Sequence, residues 1–427
     1  MGKPIFVPGI FIYTDAPRIL YFNPEAPDWI TIDEKYKPIL DLVDGKNDES
    51  LIYEHINRFY NDEKEILTSQ IKSLLAESKI FMHNQVKVDR VGCQSISAPK
   101  QIYLTLTDSC NLACVYCYAT ERKKRDNADF ETWKKYTSDI INFAGKPVFN
   151  FTGGEPLTVS YALDLAAYIK ERGCECLLLT NGTFIDTEEI ADRIAGLFSM
   201  VKISLDTNDE TVSRELRGAG VVEKAKNAFN LLLARNCNVQ IMATVTSKTC
   251  QNLDSFTAAF NNRVQFQPLY RDIGRARNKE DLSVTGQDYY NALTERGMFW
   301  LLHEYHDNIH SFRNNPCKRC AMANEELSID ADGNVFPCHM LHFENLVCGN
   351  LNRESIADIY KKSAVLNELR TVNVDTIPAC KACVFRNICG GACRARVDIN
   401  KYGVKGHDDF CEFEKKSILD ALLYSYG

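Results

Sequence analysis

The chain has 427 residues, more than one hydrophobic core usually organises, so two or three domains are expected. Its formal net charge of −7 gives no electrostatic reason to expect a nucleic-acid partner. Apolar runs stay well short of the roughly 20 residues that a membrane span needs, and the N-terminus lacks the pattern of an export signal. We therefore expect a soluble, cytoplasmic protein without a membrane partner.

Residues 1–90 are predicted to form one small domain. Three β-prone stretches come first, at 9–13, 19–22 and 28–32. Three helical patterns follow, which Asp33, Asp48 and Asp62 can cap. Three strands and three helices fit a winged-helix-like module. Because it holds 11 Lys and Arg against 15 Asp and Glu, DNA binding is not expected.

The second predicted domain, residues 91–312, alternates β-prone runs with amphipathic helices, which is typical of a parallel α/β sheet. Six strands are predicted, at 102–107, 148–152, 176–180, 201–205, 239–245 and 264–269. A longer helix is predicted over 287–306. Six βα repeats fit a partial (β/α)6 barrel, whose ligands gather at the carboxyl ends of the strands.

The last predicted domain, residues 313–427, is rich in loops and short strands, with one closing helix over 412–424. It has little apolar sequence of its own, so metal ligation is expected to supply much of its folding energy. The chain has 17 cysteines, an odd number, and many stand two or three residues apart. In a protein that is not exported, this spacing indicates metal ligation rather than disulfides.

The first cysteine cluster, Cys110, Cys114 and Cys117, follows the first barrel strand, where an active site is expected. Three thiolates can hold a [4Fe-4S] cluster and leave one iron open to a small molecule. A partial zinc knuckle is the alternative, although a structural zinc site needs four ligands. With Tyr116 before its third cysteine, the segment resembles the radical S-adenosylmethionine (SAM) superfamily. The resemblance implies that SAM binds the open iron and yields a 5′-deoxyadenosyl radical, with an electron donor such as flavodoxin or ferredoxin.

The end of the second strand, Gly153, Gly154 and Glu155, resembles the superfamily motif that holds the SAM amino group. Read by themselves, the glycines let a ligand approach the backbone, and the carboxylate can accept hydrogen bonds from an ammonium group. An ordinary turn is the alternative.

Three later positions resemble further SAM contacts of the superfamily. Ser204 and Asp206 fall on one face of the fourth strand by alternation, and the resemblance implies that they contact the ribose and carboxylate. Arg217 resembles the arginine that pairs with the SAM carboxylate, a surface arginine being the alternative. Leu269 belongs to the segment that resembles the one beside the adenine.

Eight further cysteines closely resemble the SPASM domain, which implies two auxiliary [4Fe-4S] clusters and three clusters in all. The resemblance assigns four of them to the second auxiliary cluster: Cys380, Cys383, Cys389 and Cys411. It assigns three to the first: Cys320, Cys338 and Cys393. Cys317 can complete this first set. A module with two zinc ions is the alternative.

Residues 1–90 resemble the PqqD-like domains, which bind a leader peptide as an added strand beside the third helix. A structural cap on the barrel is the alternative. The whole chain resembles the SPASM-type maturases of ribosomally made peptides. This implies hydrogen abstraction from a precursor peptide with a leader, then a thioether or carbon-carbon crosslink with loss of two hydrogens.

Three other functions remain open. A sulfatase-maturing dehydrogenase, which forms formylglycine, has Asp directly after the cysteine that corresponds to Cys338. Here that residue is His339, our candidate for a catalytic side chain. The others are a peptide epimerase and a non-catalytic iron-sulfur protein that transfers electrons or binds peptides.

Overall fold

The computed structural model describes residues 3–83, 98–121, 128–271, 273–277, 279–295, 298, 308–397 and 403–424. Its first strands are β1 to β5: Pro4–Phe6, Phe11–Asp15, Arg18–Asn23, Asp28–Asp33 and Phe81–His83. Its first helices are α1 to α3: Lys37–Leu40, Glu49–Phe59 and Lys64–Glu77. Strands β2, β3 and β4 form an antiparallel sheet in that order, and β1 pairs with β5. The three predicted strands and three helices are therefore present in the predicted order.

Two of the three predicted helix caps at the N-terminus are confirmed. Asp48 accepts a hydrogen bond from the backbone N–H of Leu51 and begins α2. Asp33 caps a short 3-10 turn that leads into α1. The prediction for Asp62 is wrong, because α3 begins at Lys64 without a side-chain cap.

The second part of the chain contains strands β6 to β11: Gln101–Thr105, Val148–Thr152, Cys176–Thr180, Met200–Ser204, Val239–Val245 and Val264–Pro268. Helices α4 to α10 accompany them: Phe130–Ala144, Ala162–Glu171, Glu188–Leu197, Glu210–Leu216, Val221–Leu233, Leu253–Ala258 and Gly286–Thr294. The six strands lie side by side in chain order and are all parallel, which confirms the partial (β/α)6 barrel. The predicted helix over 287–306 is confirmed only in its first part, as α10, which ends at Thr294; residues 296–297 and 299–306 of that prediction lie outside the described residues.

The C-terminal part extends the barrel sheet instead of standing apart from it. Strand β12 (Glu326–Ile329) pairs in parallel with β6, and Leu327 lies opposite Ile102. Strands β13 (Asn334–Phe336) and β14 (Gly349–Asn350) follow in antiparallel pairing. The sheet thus has nine strands, and the β6 edge of the barrel is covered by the segment that holds the later cysteines.

The C-terminal part also contains helices α11 to α14: Ile356–Lys362, Ala364–Arg370, Arg386–Cys389 and Cys411–Tyr424. The closing helix is confirmed as α14, but the prediction that it stands alone is wrong. Buried side chains such as Leu327, Ile356 and Leu366 belong to the same core as the barrel strands, so the expectation of little apolar core is also wrong. Among the described residues, no helix combines the length and apolarity that crossing a bilayer requires.

Strand β3 is buried on both faces. Ile19 and Tyr21 pack toward the core that the N-terminal helices α1 to α3 form. Leu20 and Phe22 face the other way and pack against α14 and Phe385, a residue between two of the predicted iron ligands. Burial of each such side chain contributes about 1.5–3 kcal/mol, so the N-terminal sheet is a structural partner of the C-terminal segment.

Candidate active site

The carboxyl ends of the barrel strands surround a cavity of about 460 Å³. Most of the residues predicted from the sequence to bind a cluster or SAM line it: Cys110, Cys114, Tyr116, Cys117, Gly153, Gly154, Ser204, Arg217 and Leu269. His339 lines it as well. Glu155 and Asp206 are buried, and the described residues that line the cavity do not include them. The sheet therefore brings together residues that are up to about half of the chain apart.

The three cysteines of the first cluster lie close enough to influence one another. Burial raises the pKa of the Cys110 and Cys114 thiols, and repulsion from the Cys117 thiolate adds to this effect. Such thiols ionise readily only when a cation binds them. Three thiols that face an open cavity fit a [4Fe-4S] cluster with one open iron better than a closed four-ligand zinc site.

The loop that carries these cysteines is fastened to the barrel at several points. The hydroxyl group of Tyr116 donates to the carboxylate of Asp206. The backbone N–H of Val115 donates to the carbonyl of Leu216 at 2.9 Å. Arg275 clamps the loop from the segment after β11, because its backbone N–H bonds to the carbonyl of Cys117 and its Nη1 to that of Cys114, both at 3.0 Å.

The two glycines after β7 are required by the approach of the cysteine loop. A Cβ on Gly153 would collide with the carbonyl oxygen of Thr107, and one on Gly154 with that of Ser109. The backbone N–H of Gly154 donates to Thr107 at 2.7 Å. The sequence predicts that these glycines let a ligand approach the backbone. The structure shows that the loop before Cys110 also comes close to them.

Glu155 is a buried carboxyl group with hydrogen-bond donors on both of its oxygens. Oε1 accepts from the hydroxyl group of Thr180 at 2.7 Å and from the backbone N–H of Leu157 at 3.1 Å. Oε2 accepts from the backbone N–H of Asn181 at 2.7 Å. Burial nevertheless raises the pKa of Glu155 to about 7, because the donors offset only part of the desolvation.

Asp206 and Arg217 form a buried ion pair at the end of β9. Arg217 Nε lies 2.8 Å from Oδ2 and Nη2 lies 2.7 Å from Oδ1, a two-point contact that fixes the guanidinium plane. The backbone N–H of Thr244 also donates to Oδ1 at 2.9 Å. Arg217 lines the cavity and Asp206 lies behind it, so the carboxylate fixes the position of the guanidinium.

Sequence reasoning missed a ring of polar side chains on the inner faces of the strands. The cavity is also lined by Gln101, Tyr103, Asn150, Asn181, Lys202, Thr244, Gln267 and Tyr270. Several of them occupy alternate positions of otherwise apolar strands. That period-two pattern of polar residues was the signal that could have identified them. One of them, Asn181, donates to Cys110 Sγ at 3.8 Å and so supports the cysteine loop.

His339 reaches the cavity from the loop after β13. Its ring stacks on Tyr103 with the centroids 4.1 Å apart. Its Nδ1 lies 2.7 Å from Oε1 of Glu326, which also accepts its backbone N–H at 3.0 Å. The stacking and the carboxylate together fix the orientation of the imidazole.

The later cysteines gather in two groups that correspond to the predicted assignment. The first auxiliary set consists of Cys320, Cys338 and Cys393. Burial raises the pKa of Cys320 and of Cys338, and repulsion from Cys393 at Cys320, and from Glu326 and the neighbouring thiols at Cys338, adds to this effect. The second auxiliary set lines one small cavity and consists of Cys380, Cys383, Cys389 and Cys411. Burial raises the pKa of Cys411 to about 11, so this thiol ionises near neutral pH only when a cation binds it. Four thiolates around one cavity fit a fully ligated [4Fe-4S] cluster.

Cys317 lies beside Gly390. In the sequence, Gly390 stands between residues of the two auxiliary sets. A side chain at Gly390 would collide with the sulfur of Cys317, and the positive φ of 67° at this position also favours glycine. The role of Cys317 as a fourth ligand of the first set stays a prediction. The described cysteines outside the predicted sites are all buried: Cys174, Cys176, Cys237, Cys250 and Cys348. Cys93 lies outside the described residues.

Two family models match the chain. Residues 104–249 match the Radical SAM superfamily, and residues 317–384 match SPASM, an iron-sulfur cluster-binding domain. The chain has a radical SAM core and a SPASM domain. The matched ranges hold the first cysteine cluster and most of the auxiliary cysteines, and both lie outside residues 1–90.

Relatives that share the radical SAM core differ in their named activities. An AdoMet-dependent heme synthase of Nitratidesulfovibrio vulgaris is 27% identical over 332 residues, which are 70% of this chain and 88% of the relative. The mycofactocin maturase MftC of Mycobacterium tuberculosis is 27% identical over 335 residues, which are 74% of this chain and 84% of the relative.

Two solved structures share the fold of this chain. The anSMEcpe enzyme with bound AdoMet and Cp18Cys peptide superposes with a TM-score of 0.61 at 19% identity, covering 76% of this chain and 96% of that one. Streptococcus suis SuiB bound to its precursor peptide SuiA superposes with a TM-score of 0.58 at 15% identity, covering 95% and 98%. The second superposition covers nearly the whole chain. Both likenesses concern the fold.

Proposed function

We propose that this protein is a peptide maturase that uses SAM and three [4Fe-4S] clusters. It abstracts a hydrogen from a ribosomally made precursor peptide and closes an intramolecular thioether or carbon-carbon crosslink, with loss of two hydrogens. An external one-electron donor such as flavodoxin or ferredoxin serves the first cluster. The observation that carries the proposal is a groove for an extended peptide on the N-terminal sheet.

The groove has a volume of about 420 Å³ and lies between the edge strand β4 and helix α3. Residues of the strand and apolar residues of the helix line the groove: Thr31, Ile32, Asp33, Ile66, Leu67, Ile71 and Leu74. In the described sheet, β4 pairs on one side only, with β3. A leader peptide added as a strand would bond to the free edge and place alternate side chains against α3.

In the radical SAM cavity, different side chains of the chain bind different groups of SAM. Bound SAM supplies the 5′-deoxyadenosyl radical that takes the hydrogen. Arg217, oriented by Asp206, offers a cation to the carboxylate of SAM, and Glu155 offers an acceptor to its amino group.

The two auxiliary sets favour a net oxidation of the peptide, such as crosslink formation, over a redox-neutral epimerisation. Ring closure by a carbon radical leaves one electron that must depart, and the SPASM thiols provide sites for iron-sulfur clusters that can accept it. If Cys317 completes the first set, neither cluster has an open iron, so substrate sulfur does not bind one directly and the electron transfer is outer-sphere.

The test is an anaerobic reaction of reconstituted enzyme, SAM and a reductant with peptides encoded in short reading frames beside the gene. The expected product is lighter by two hydrogens, with 5′-deoxyadenosine formed in step. Tandem fragmentation after thiol alkylation separates a thioether from a carbon-carbon bond. A mass-neutral product that carries solvent deuterium would indicate an epimerase, and an aldehyde at Cys or Ser would indicate the sulfatase-maturing reaction.

Heme synthesis is a second candidate, because heme synthases among the relatives match the chain as well as the mycofactocin maturase does, at 27% identity. Conversion of a tetrapyrrole precursor to heme by the purified enzyme, with every candidate peptide unchanged, would replace the peptide maturase proposal.

A further inference from the structure

Arg394 is a buried arginine in the cavity of the second auxiliary set. Its exposed fraction is 2%, and its side chain lines the cavity beside the four cysteines. Nη1 donates to the carbonyl oxygens of Val404 at 3.2 Å and Gly406 at 2.9 Å, and Nη2 donates to that of Gly391. Three carbonyl groups therefore fix the guanidinium, but they do not neutralise it.

The positive charge of Arg394 has no carboxylate partner within the part of the chain that the structure describes. The two carboxylates of the same cavity, Asp408 and Glu414, both bind Arg396. The Nε atom of Arg394 is buried and has no hydrogen-bond partner. A buried charge without an opposite charge is costly, so the fold implies an anion at this place.

The thiolates of the second auxiliary set are the anions that the cavity offers. The Arg394 side chain and the Cys380 thiol line the same cavity. Arg394 also touches the first auxiliary set, but differently. Its backbone N–H donates a hydrogen bond to Cys320. The charged end of Arg394 thus belongs to one set and its backbone to the other.

We propose that Arg394 is the counter-charge of the cluster held by the second auxiliary set and raises its reduction potential. The inference rests on the cluster assignment of the proposed function. One-electron reduction adds negative charge beside a guanidinium that no carboxylate neutralises, in surroundings of low dielectric constant. Arg394 therefore stabilises the reduced state more than the oxidised state.

The test is a potentiometric titration, followed by electron paramagnetic resonance, of full-length protein in which Cys110, Cys114 and Cys117 are replaced by Ala to silence the first cluster. Arg394→Gln and Arg394→Lys both remove the guanidinium hydrogen bonds, but only Lys keeps the charge. Arg386→Gln is the matched control, because Arg386 lines the same cavity and already pairs with Glu25.

We expect one of the two auxiliary transitions to shift in Arg394→Gln while the other stays. At the potential that half-reduces the parent cluster, the ratio of reduced to oxidised cluster should fall at least tenfold, which corresponds to about 59 mV for a one-electron couple. The shift in Arg394→Lys and in Arg386→Gln should stay below about threefold, or roughly 30 mV on the same scale.

Unshifted transitions in Arg394→Gln would overturn the inference. If Arg394→Gln loses one cluster's iron while Arg394→Lys retains it, the requirement for charge is supported by iron content instead. Equal loss in both variants would overturn it, because the role of Arg394 would then lie in its carbonyl hydrogen bonds. A parent protein without auxiliary clusters would overturn the proposed function itself, before any substitution of Arg394.

Discussion

At the scale of single residues, the proposed contact between Glu155 and the amino group of SAM predicts that SAM binding depends on pH. Burial raises its pKa to about 7, so the carboxyl group is mostly neutral at pH 6 and mostly ionised at pH 7.5. The ionised form is the better acceptor for the SAM amino group. The dissociation constant of SAM should therefore rise several-fold between pH 7.5 and pH 6, as measured by calorimetry on anaerobically reconstituted enzyme.

The control for this prediction is Glu155→Gln, which keeps the shape of the side chain and removes its titration. The amino group of SAM titrates as well, so the informative quantity is the ratio of the two dissociation constants in each protein. A ratio that is the same in both proteins would show that Glu155 does not cause the pH dependence of SAM binding.

The cluster ligands give the second residue-scale prediction. Reconstituted wild-type protein should hold about 12 irons, and replacing Cys110, Cys114 and Cys117 by Ala should remove about a third of them, together with all SAM cleavage. Cys348→Ala is the matched control, because Cys348 is a buried thiol whose hydrogen bond goes to the carbonyl of Leu346. Its iron content should not change. Stoichiometric zinc with little iron would contradict the whole cluster assignment.

The sequence predicts the ligands of this site better than it predicts their supports. Cysteine spacing is local and chemically specific, so the cysteines that gather in the structure are those that the pattern indicates. The hydrogen bonds from Arg275 and Asn181 to the cysteine loop join residues that are between 71 and 161 positions apart, and no local pattern encodes such contacts. The sequence indicates both Arg217 and Asp206 as residues of this site, but their ion pair is visible only in three dimensions.

At the scale of secondary-structure elements, β4 and α3 give a prediction about leader binding. Ile66 lines the groove and is 65% exposed, so Ile66→Asp should leave folding intact and weaken the binding of a leader peptide at least tenfold. The reason is that a carboxylate would be desolvated against an apolar peptide side chain. Fluorescence anisotropy with a labelled leader measures the effect.

The matched control is Ile12→Asp, the same substitution on β2 at the opposite edge of the same sheet. Ile12 is 56% exposed and lies outside the groove. Its variant should bind the leader as the wild type does. Equal weakening by both substitutions would indicate a general effect on the module, and no weakening by either would remove the groove from the recognition step.

The elements themselves were predictable where their pattern is long and local. The six parallel strands and the start of α2 follow from apolar periodicity and a capping aspartate. Strand β12 was not predictable as part of the barrel sheet, because its partner β6 lies 225 residues earlier in the chain. Helices α11 and α12 have seven residues each, too short for the apolar period to stand out, and both depend on packing against the barrel core.

At the scale of the whole molecule, the packing of β3 changes how the N-terminal module can be tested. Deleting residues 1–83 would expose the apolar side chains of α14 and Phe385, which pack beside Cys383 and Cys389. We expect the deletion to lose about a third of the iron and to aggregate, whereas Ile66→Asp keeps its iron. Iron analysis after size-exclusion chromatography measures both. A truncated protein that stays monomeric with full iron would show that the two parts fold independently.

The two-sided burial of β3 also limits how the N-terminal module could be exchanged for another. A foreign module grafted onto this chain would have to present a sheet face that matches the surface formed by Leu422, Ile418 and Phe385. The carbonyl groups of Leu422 and Leu423 accept hydrogen bonds from Thr31 and Arg18, so the last turn of α14 is bonded directly to the sheet. The N-terminal sheet and α14 therefore pack as one unit, and a working chimera would exchange them together.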